Sequence, residues 1–168
     1  PAAAGSPEFK ELCASGGCKV ARPEGRGISL VQLRSLAAHT QRRSAAEMWT
    51  ASDGRAVADG ASMHEVGKRV IRPATAQRKC SLVEVIATAP QRARWYVSHW
   101  WGDSLASLLS CVEEHRRNYD AALPQGSLDD ASPYWVSAAS ADLWSLSGAT
   151  TLDDAQCLSA MRNAEGAL

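Results

Sequence analysis

The residues best suited to chemistry form one short run, in which Ser98 and His99 are followed by two tryptophans and a glycine. A histidine here could act as a general acid or base, or could bind a phosphate. The run begins in aromatic and β-branched residues that predict a short buried strand from Arg94 to Gly102, and open α/β sheets bind ligands at the carboxyl ends of their strands. The simpler interpretation, that His99 bonds to the backbone and fixes the loop, is favoured. We therefore assign no catalytic residue, and keep Ser98 and His99 as the only candidates.

Five residues are candidates for binding: Trp100, Trp101, Gly102, Asp103 and Trp144. In an extended strand Trp100 and Trp101 point to opposite faces, so at most one of them faces the core. The other could stack on a nucleobase or pack on the N-terminal helices, and packing is favoured because an indole buries a large area. The following helix would aim its N-terminal amides at the same crevice, but Asp103 as its cap would repel a phosphate. Trp144 lies in a predicted loop and is the better candidate for a contact surface.

The sequence lacks other catalytic and cofactor motifs. Ser98, His99 and Asp142 could be drawn as a triad, but there is no Gly-x-Ser-x-Gly elbow, and adjacent side chains project to opposite sides of a strand. Cys13 and Cys18 could close a small loop or form half of a metal site, yet no second pair with suitable spacing follows. No glycine-rich phosphate loop or calcium loop occurs. The sequence therefore predicts no metal and no cofactor, and leaves a nucleotide open as a small-molecule partner.

Helices are predicted before the strand. Apolar residues on one face predict a helix over 28–43. Ser-x-x-Glu capping boxes at 44–47, 62–65 and 81–84 each predict a helix start, and Pro73 is expected to end the second of these helices. The apolar residues after the third box could also form a strand, but the cap favours a helix.

The second half of the chain predicts alternating strands and helices. A helix capped by Asp103 or Ser104 follows the first strand, a second strand covers 134–138, a last helix begins at Thr151, and 166–168 resemble the start of a third strand. Such alternation specifies a parallel sheet with crossover helices. The predicted fold class is therefore α/β, with an incomplete parallel sheet preceded by a region of short helices. A two-stranded parallel sheet leaves apolar faces uncovered, so we expect a partner or further chain to complete it.

The chain divides into two predicted parts. Residues 1–56 form an N-terminal arm with short helices, because 10–27 are rich in Gly and Pro and 52–54 read Ser-Asp-Gly, a turn. Residues 57–168 form the α/β domain, which we expect to be truncated at its C-terminal end.

The chain of 168 residues has no net charge, yet the charge is unevenly divided. Residues 1–94 carry 15 basic and 8 acidic side chains, whereas residues 95–168 carry 3 and 10. This asymmetry favours two halves that dock on each other. It disfavours nucleic acid, because the basic residues never form a continuous run.

No apolar stretch approaches the ~18 residues of a membrane span. Five cysteines and no visible secretory signal favour an intracellular compartment.

Four segments in order resemble a largely uncharacterised family of dinoflagellates and other protist algae, which is marked by a Val-Ser-His-Trp-Trp-Gly core. They are Ile71–Thr75, Arg78–Glu84, Tyr96–Gly102 and Tyr134–Val136. The resemblance runs from about Val57 to the end of the chain. The Ser-His-Trp-Trp-Gly segment is also similar to the first strand of TIR-type domains, which implies a TIR-like or flavodoxin-like fold.

Two departures from these patterns bear on function. The second strand of the family continues into Ala-Asn-Asn-Gln, where this chain has Ser140, Ala141, Asp142 and Leu143. TIR-like enzymes that cleave NAD place their essential glutamate beyond a later strand, and this chain ends before any such position. The expected function is a non-catalytic structural or protein-interaction module, as a subunit of a larger assembly with other protein chains. The alternative is a fragment of a TIR-like nucleotide (NAD)-processing enzyme.

Overall fold

The computed structural model describes residues 17–50, 57, 60–122, 128–145 and 154–168, and says nothing of the side chains at 120–122 and 154. The helices are α1 (Leu30–Ala46), α2, α3 (Leu82–Ile86), α4 (Leu105–Ala122), α5 (Ser137–Ser140) and α6 (Asp154–Asn163). Helix α2 has three consecutive parts, namely α-helical Met63–Val66, π-helical Gly67–Ile71 and α-helical Arg72–Thr75. The strands are β1 (Ile28–Ser29), β2 (Trp95–Val97), β3 (Pro133–Val136) and β4 (Gly166–Ala167).

The strands form one small mixed sheet in the order β1-β3-β2-β4. Strand β2 runs parallel to both of its neighbours, and Tyr96 lies opposite Trp135 on one side and Ala167 on the other. This confirms the general α/β class and the strand expected near 166. The prediction of an all-parallel sheet is wrong, because β1 pairs antiparallel to β3. Strand β1 has only two residues, which is too short for any period to appear in the sequence.

Both predicted central strands are shorter than expected. Strand β2 ends at Val97, and the run after it turns instead of continuing to Gly102. The turn forms because Asp103 N–H donates to the carbonyl of Trp100 at 3.0 Å, a bond that extended backbone cannot make. Strand β3 ends at Val136, whose N–H donates to Ser140 Oγ at 3.1 Å as the chain enters α5.

The first helix is confirmed but longer than predicted. Its N-terminus is a capping box in which Ser29 and Gln32 exchange hydrogen bonds between side chain and backbone. The predicted restart at the 44–47 box is wrong, because Ser44 lies inside α1 and its hydroxyl donates to the carbonyl of Gln41 at 2.9 Å. The chain leaves the helix at Met48, which has a positive φ of 47°.

The second box caps α2 as predicted, but Pro73 does not end that helix. A proline removes one backbone donor and normally breaks an α-helix. Here the preceding turns are π-helical, and Arg72 N–H donates to the carbonyl of Gly67, five residues back. Pro73 then stands at the first turn of the last α-helical part, where its missing N–H is tolerated.

The third box confirms a helix, α3, over the residues that could also have formed a strand. Its Glu84 is buried and accepts hydrogen bonds from the backbone N–H groups of Ser81 and Val20, both at 3.0 Å. The guanidinium of Arg26 lies 3.5 Å from the same carboxylate. One capping carboxylate therefore also fastens the N-terminal segment to the domain.

The described parts on both sides of residue 56 contribute to one hydrophobic cluster. Leu30, Leu33 and Leu36 of α1 are fully buried, and α1 packs against α4. Ion pairs join the basic and acidic halves, for example Arg34 with Glu113 at 2.8 Å. These contacts agree with the docking interpretation of the charge split, while the division into two folding units stays a prediction.

We expect Glu84→Ala to lower the free energy of unfolding by about 3 kcal/mol or more, because it leaves buried N–H groups and an arginine without their acceptor. Glu65→Ala is the matched control, since Glu65 holds the same place in the box of α2 but bonds only within that box. Its expected cost is that of a lost helix cap, about 1 kcal/mol. Urea unfolding measures both values, and equal losses would contradict the anchoring role.

Candidate functional site

The candidate site is the loop from Ser98 to Ser104, which connects β2 to α4 at the carboxyl end of β2. Because β2 is flanked by β3 and β4, this loop leaves the sheet from its middle. Ser98 N–H donates to the carbonyl of Leu168 at 3.0 Å, which extends the pairing with β4 by one residue. The loop therefore occupies the end of an open α/β sheet at which ligands commonly bind.

His99 is half-buried with both ring nitrogens inaccessible to solvent, and neither nitrogen makes a close hydrogen bond in the described part of the chain. Burial lowers its pKa, while the backbone of Val97 and the carboxylate of Asp103 act in the opposite direction. The ring stacks on Trp101, with 6.4 Å between centroids and 22° between planes. The backbone of Val97 therefore lies close enough to act on the imidazole, as the loop-fixing interpretation expects, and the ring is also held by its packing on Trp101.

Ser98, His99 and Asp142 are not assembled as a triad. Since both nitrogens of His99 are unpartnered, the ring bonds neither to the exposed Ser98 nor to a carboxylate. Asp142 instead accepts a hydrogen bond from the backbone N–H of Trp144 at 2.9 Å. General base catalysis needs the base within hydrogen-bond reach of the proton it takes, so this arrangement does not activate Ser98.

Trp101 packs between two histidines. His64 lies on it at 5.5 Å between centroids, and His99 stacks on it as described. Gly67 in the π-helical part of α2 allows this approach, because a Cβ atom there would lie 3.1 Å from Cζ3 of Trp101. The ring is half-buried and in contact with both histidines, so Trp101 fits the packing interpretation better than a stacked nucleobase.

Trp100 is different, because its side chain is 70% exposed. The ring lies over Gly102, where a Cβ atom would stand only 2.3 Å away. The expectation that two tryptophans alternate across a strand is therefore wrong, since both belong to the turn. Trp100 is an exposed aromatic residue placed against backbone.

Asp103 is exposed and does not cap α4. The cap is Ser104, whose hydroxyl accepts a hydrogen bond from the N–H of Ser107 at 3.0 Å. Asp103 contributes its carbonyl instead, which accepts from the N–H of Met63 at 2.9 Å. The predicted repulsion of a phosphate depends on Asp103 being the cap, so it does not apply here. Asp103 instead connects the loop to α2 through its carbonyl.

Trp144 is 36% exposed and lies at the other end of α2. Its indole N–H donates to Thr75 Oγ1 at 2.8 Å, and the guanidinium of Arg72 lies 5.7 Å from its ring centroid. Arg72 also donates to the carbonyl of Leu143 at 3.0 Å. The predicted contact residue is thus a partly exposed ring held by two residues of one helix.

The sequence interpretation missed His64 and Arg72, two residues of α2 that touch these tryptophans. A signal was present, since positions 64, 68 and 72 are spaced by four and the capping box predicts a helix there. Pro73 obscured this signal, because a helix that is expected to end at Pro73 gives no reason to place Arg72 on a continuous helix face.

Two thiols of the described chain, those of Cys18 and Cys80, are not activated. Burial raises the pKa of both Cys18 and Cys80, and the carboxylate of Glu84 raises both further. The thiol is therefore favoured over the nucleophilic thiolate. Cys13, the other half of the suggested metal pair, lies outside the described residues. Within the ranges that the structure describes, no three His, Cys, Asp or Glu side chains are grouped to hold a metal ion.

Among the helices described, none has both the length and the apolar character that crossing a membrane requires. Comparison with models of known protein families gives no match to the chain. Curated proteins and solved structures likewise give no match.

We expect the pH dependence of stability to report on the buried imidazoles. A histidine whose pKa is lowered by folding is neutral in both states above pH 6.5, so its environment costs nothing there. As the pH falls through the unfolded pKa toward the lower folded one, the unfolded state binds the proton first and stability is lost. His115 shares the direction, again through burial.

His99→Gln should therefore flatten the loss of unfolding free energy between pH 7 and pH 5, and His99→Gln with His115→Gln should flatten it further. Urea unfolding at a series of pH values measures these slopes. An unchanged slope in the His99 variant would mean that the ring is solvated in the folded protein.

Proposed function

We propose that this chain is a non-catalytic protein-interaction module that serves as a subunit of a larger assembly. The observation that carries the proposal is the open edge of the sheet at β4, whose pairing is with β2 alone among the described strands. Unpaired edge groups are a template for another strand, and proteins that stay monomeric cover or charge such edges. Strand β4 has no charged residue of its own.

The helix that leads into this edge adds apolar surface. Leu158 and Met161, spaced by three on α6, are each 46% exposed, while Ala160 is buried against the core. Residues spaced by three lie next to each other on a helix surface. An exposed edge beside an exposed apolar helix face suits another protein chain, of which a second copy is the simplest.

We further infer a TIR-like or flavodoxin-like relationship with crossover helices. In its support, β2 is the first of the three parallel strands and lies between the other two, which is the 2-1-3 order of flavodoxin-like sheets. Helices α4 and α6 precede β3 and β4 in the chain, as crossover helices would. The resemblance to the protist-algal family belongs to the same proposal and rests on the motif residues.

We expect the purified chain to self-associate, with a mass that rises with concentration in sedimentation equilibrium. Leu158→Lys and Met161→Lys should each shift it toward the monomer, because a buried unpaired charge opposes association. Val31→Lys is the matched control, since Val31 is 53% exposed on α1. A monomeric wild-type chain that unfolds cooperatively would contradict the need for a partner.

The alternative function is a fragment of a TIR-like nucleotide-processing enzyme, and His99 favours it. Two buried, unpartnered ring nitrogens at the carboxyl end of β2 are groups that a ligand could satisfy if the loop opened. Against it stand the occupied faces of Trp101 and the unassembled triad. A nucleotide would have to displace His64 or His99 to reach the indole.

Incubation with NAD, followed by chromatography of the products, separates the two functions. We expect no hydrolysis and no rise in melting temperature at millimolar NAD, because binding to the folded state alone raises stability by mass action. The control for any rise is His99→Gln, which should abolish it if the ring binds the nucleotide. Turnover of NAD by the wild-type chain would overturn the non-catalytic proposal.

A further inference from the structure

Helix α2 and the turn after it are strongly basic. Residues 63–80 carry the basic side chains Lys68, Arg69, Arg72, Arg78 and Lys79 against a single acidic one, Glu65. Glu65 is used in the capping box at the start of α2.

These cations are not neutralised by ion pairs. In the described residues, the Arg–carboxylate pairs involve other arginines, such as Arg34, Arg94 and Arg116, and none reaches positions 68, 69, 72, 78 or 79. Three of the five are also held by other contacts: Arg69 lies 5.0 Å from the ring centroid of Trp49, Arg78 donates to backbone carbonyls, and Arg72 donates to the carbonyl of Leu143 and lies over the ring of Trp144. Arg72 and Arg78 nevertheless stay exposed, as do Lys68 and Lys79.

Three of the exposed basic side chains form a stripe. His64, Lys68 and Arg72 are all exposed and succeed one another at intervals of four residues. Residues four apart lie on one face of a helix, and the wider π-helical turns between 67 and 71 help to keep them aligned. With a rise of about 1.5 Å per residue, His64 and Thr75 are about 16 Å apart along the helix.

A tryptophan marks each end of this stripe. At the N-terminal end, His64 touches Trp101, and the exposed Trp100 is the residue just before Trp101 in the chain. The turn is fixed there by a hydrogen bond from His64 N–H to the carbonyl of Trp101 at 3.0 Å. At the C-terminal end, Trp144 is held by Arg72 and Thr75.

From this geometry we infer that the stripe of His64, Lys68 and Arg72, with Trp100 and Trp144 at its ends, binds single-stranded nucleic acid. Phosphates would follow the cations, and exposed bases would stack on the free face of Trp100. Basic grooves that track a backbone, interleaved with aromatic rings that stack bases, are how single strands are bound without sequence preference. This inference is independent of the edge at β4.

The same surface fits other anionic partners less well. An acidic peptide satisfies the cations but has no flat group for Trp100, whose exposed face would stay in water. An anionic membrane favours a continuous apolar face opposite the charges, whereas the buried face of α2, with Met63, Val66 and Val70, belongs to the core. A duplex presents its phosphates but keeps its bases stacked inside.

Fluorescence anisotropy of a short fluorescein-labelled oligothymidylate, titrated with the full chain, tests the proposal. We expect saturable binding at low salt that weakens steeply as salt rises, because phosphate contacts release counterions. Lys68→Gln and Arg72→Gln should each reduce the slope of log affinity against log salt by about one. Trp100→Ala should weaken binding by about fivefold to a hundredfold, the range expected for one stacked base.

Matched controls make these results specific. Arg117→Gln removes an exposed cation that is paired with Glu114 on α4 and should leave affinity and slope unchanged. Met48→Ala removes an exposed apolar side chain that is not part of the stripe and is the control for Trp100→Ala. Circular dichroism of each variant establishes that it is folded.

Several outcomes would overturn the inference. No binding at low salt would do so, as would binding that is indifferent to Lys68 and Arg72. Equal affinity for the duplex with no effect of Trp100→Ala would indicate a general charge attraction. Competition by polyglutamate as effective as that by unlabelled oligothymidylate would assign the surface to an acidic protein. Binding to phosphatidylserine vesicles that exceeds binding to the oligonucleotide would assign it to a membrane. Dimerisation through β4 is measured separately, so its failure and the failure of this inference are distinguishable.

Discussion

The architecture around the candidate site depends on backbone hydrogen bonds between the start of α2 and the loop after β2. Met63 and His64 donate to the carbonyls of Asp103 and Trp101, and Leu105 donates to the carbonyl of Ala61. The donors at the start of α2 are among those that a helix cannot satisfy internally. Because the loop supplies their acceptors, α2, the sheet and α4 meet at one point. The same bonds turn the chain away from extended structure and bring Trp101 onto the helix.

Local sequence patterns predict the secondary-structure elements more accurately than they predict which elements contact each other. The capping boxes at 62–65 and 81–84 and the helix after Ser104 depend on contacts within a few residues, and the structure has them where the sequence predicts them. The strand over 94–102 shows the limit, since aromatic and β-branched residues predict nine residues of which three are extended. The remaining residues are held in a turn by hydrogen bonds to α2, which lies some forty positions earlier in the chain. No local sequence pattern indicates such bonds.

The candidate site was predicted in part for a similar reason. Its position at the end of β2 followed from the motif, but the roles of its residues did not. The packing of His99 on Trp101 is not among the predicted contacts, and of the two predicted caps only Ser104 caps α4, whereas Asp103 binds through its carbonyl. A side chain's role depends on what packs against it from elsewhere in the chain. Here that neighbour is α2, whose course past Pro73 required π-helical turns that the sequence does not announce.

Charge gives the clearest case of a pattern that is hidden in sequence and evident in structure. Basic residues spaced by four look scattered when read in order, which is why nucleic acid was disfavoured at first. On a helix the same spacing is a continuous stripe, and the relevant question becomes whether carboxylates neutralise it. Arg34 and Arg94 are paired across the two halves of the chain, so their charge serves docking. Lys68 and Arg72 are not paired so within the described residues, and it is this difference in pairing, not the number of cations, that distinguishes a binding surface from a docking one.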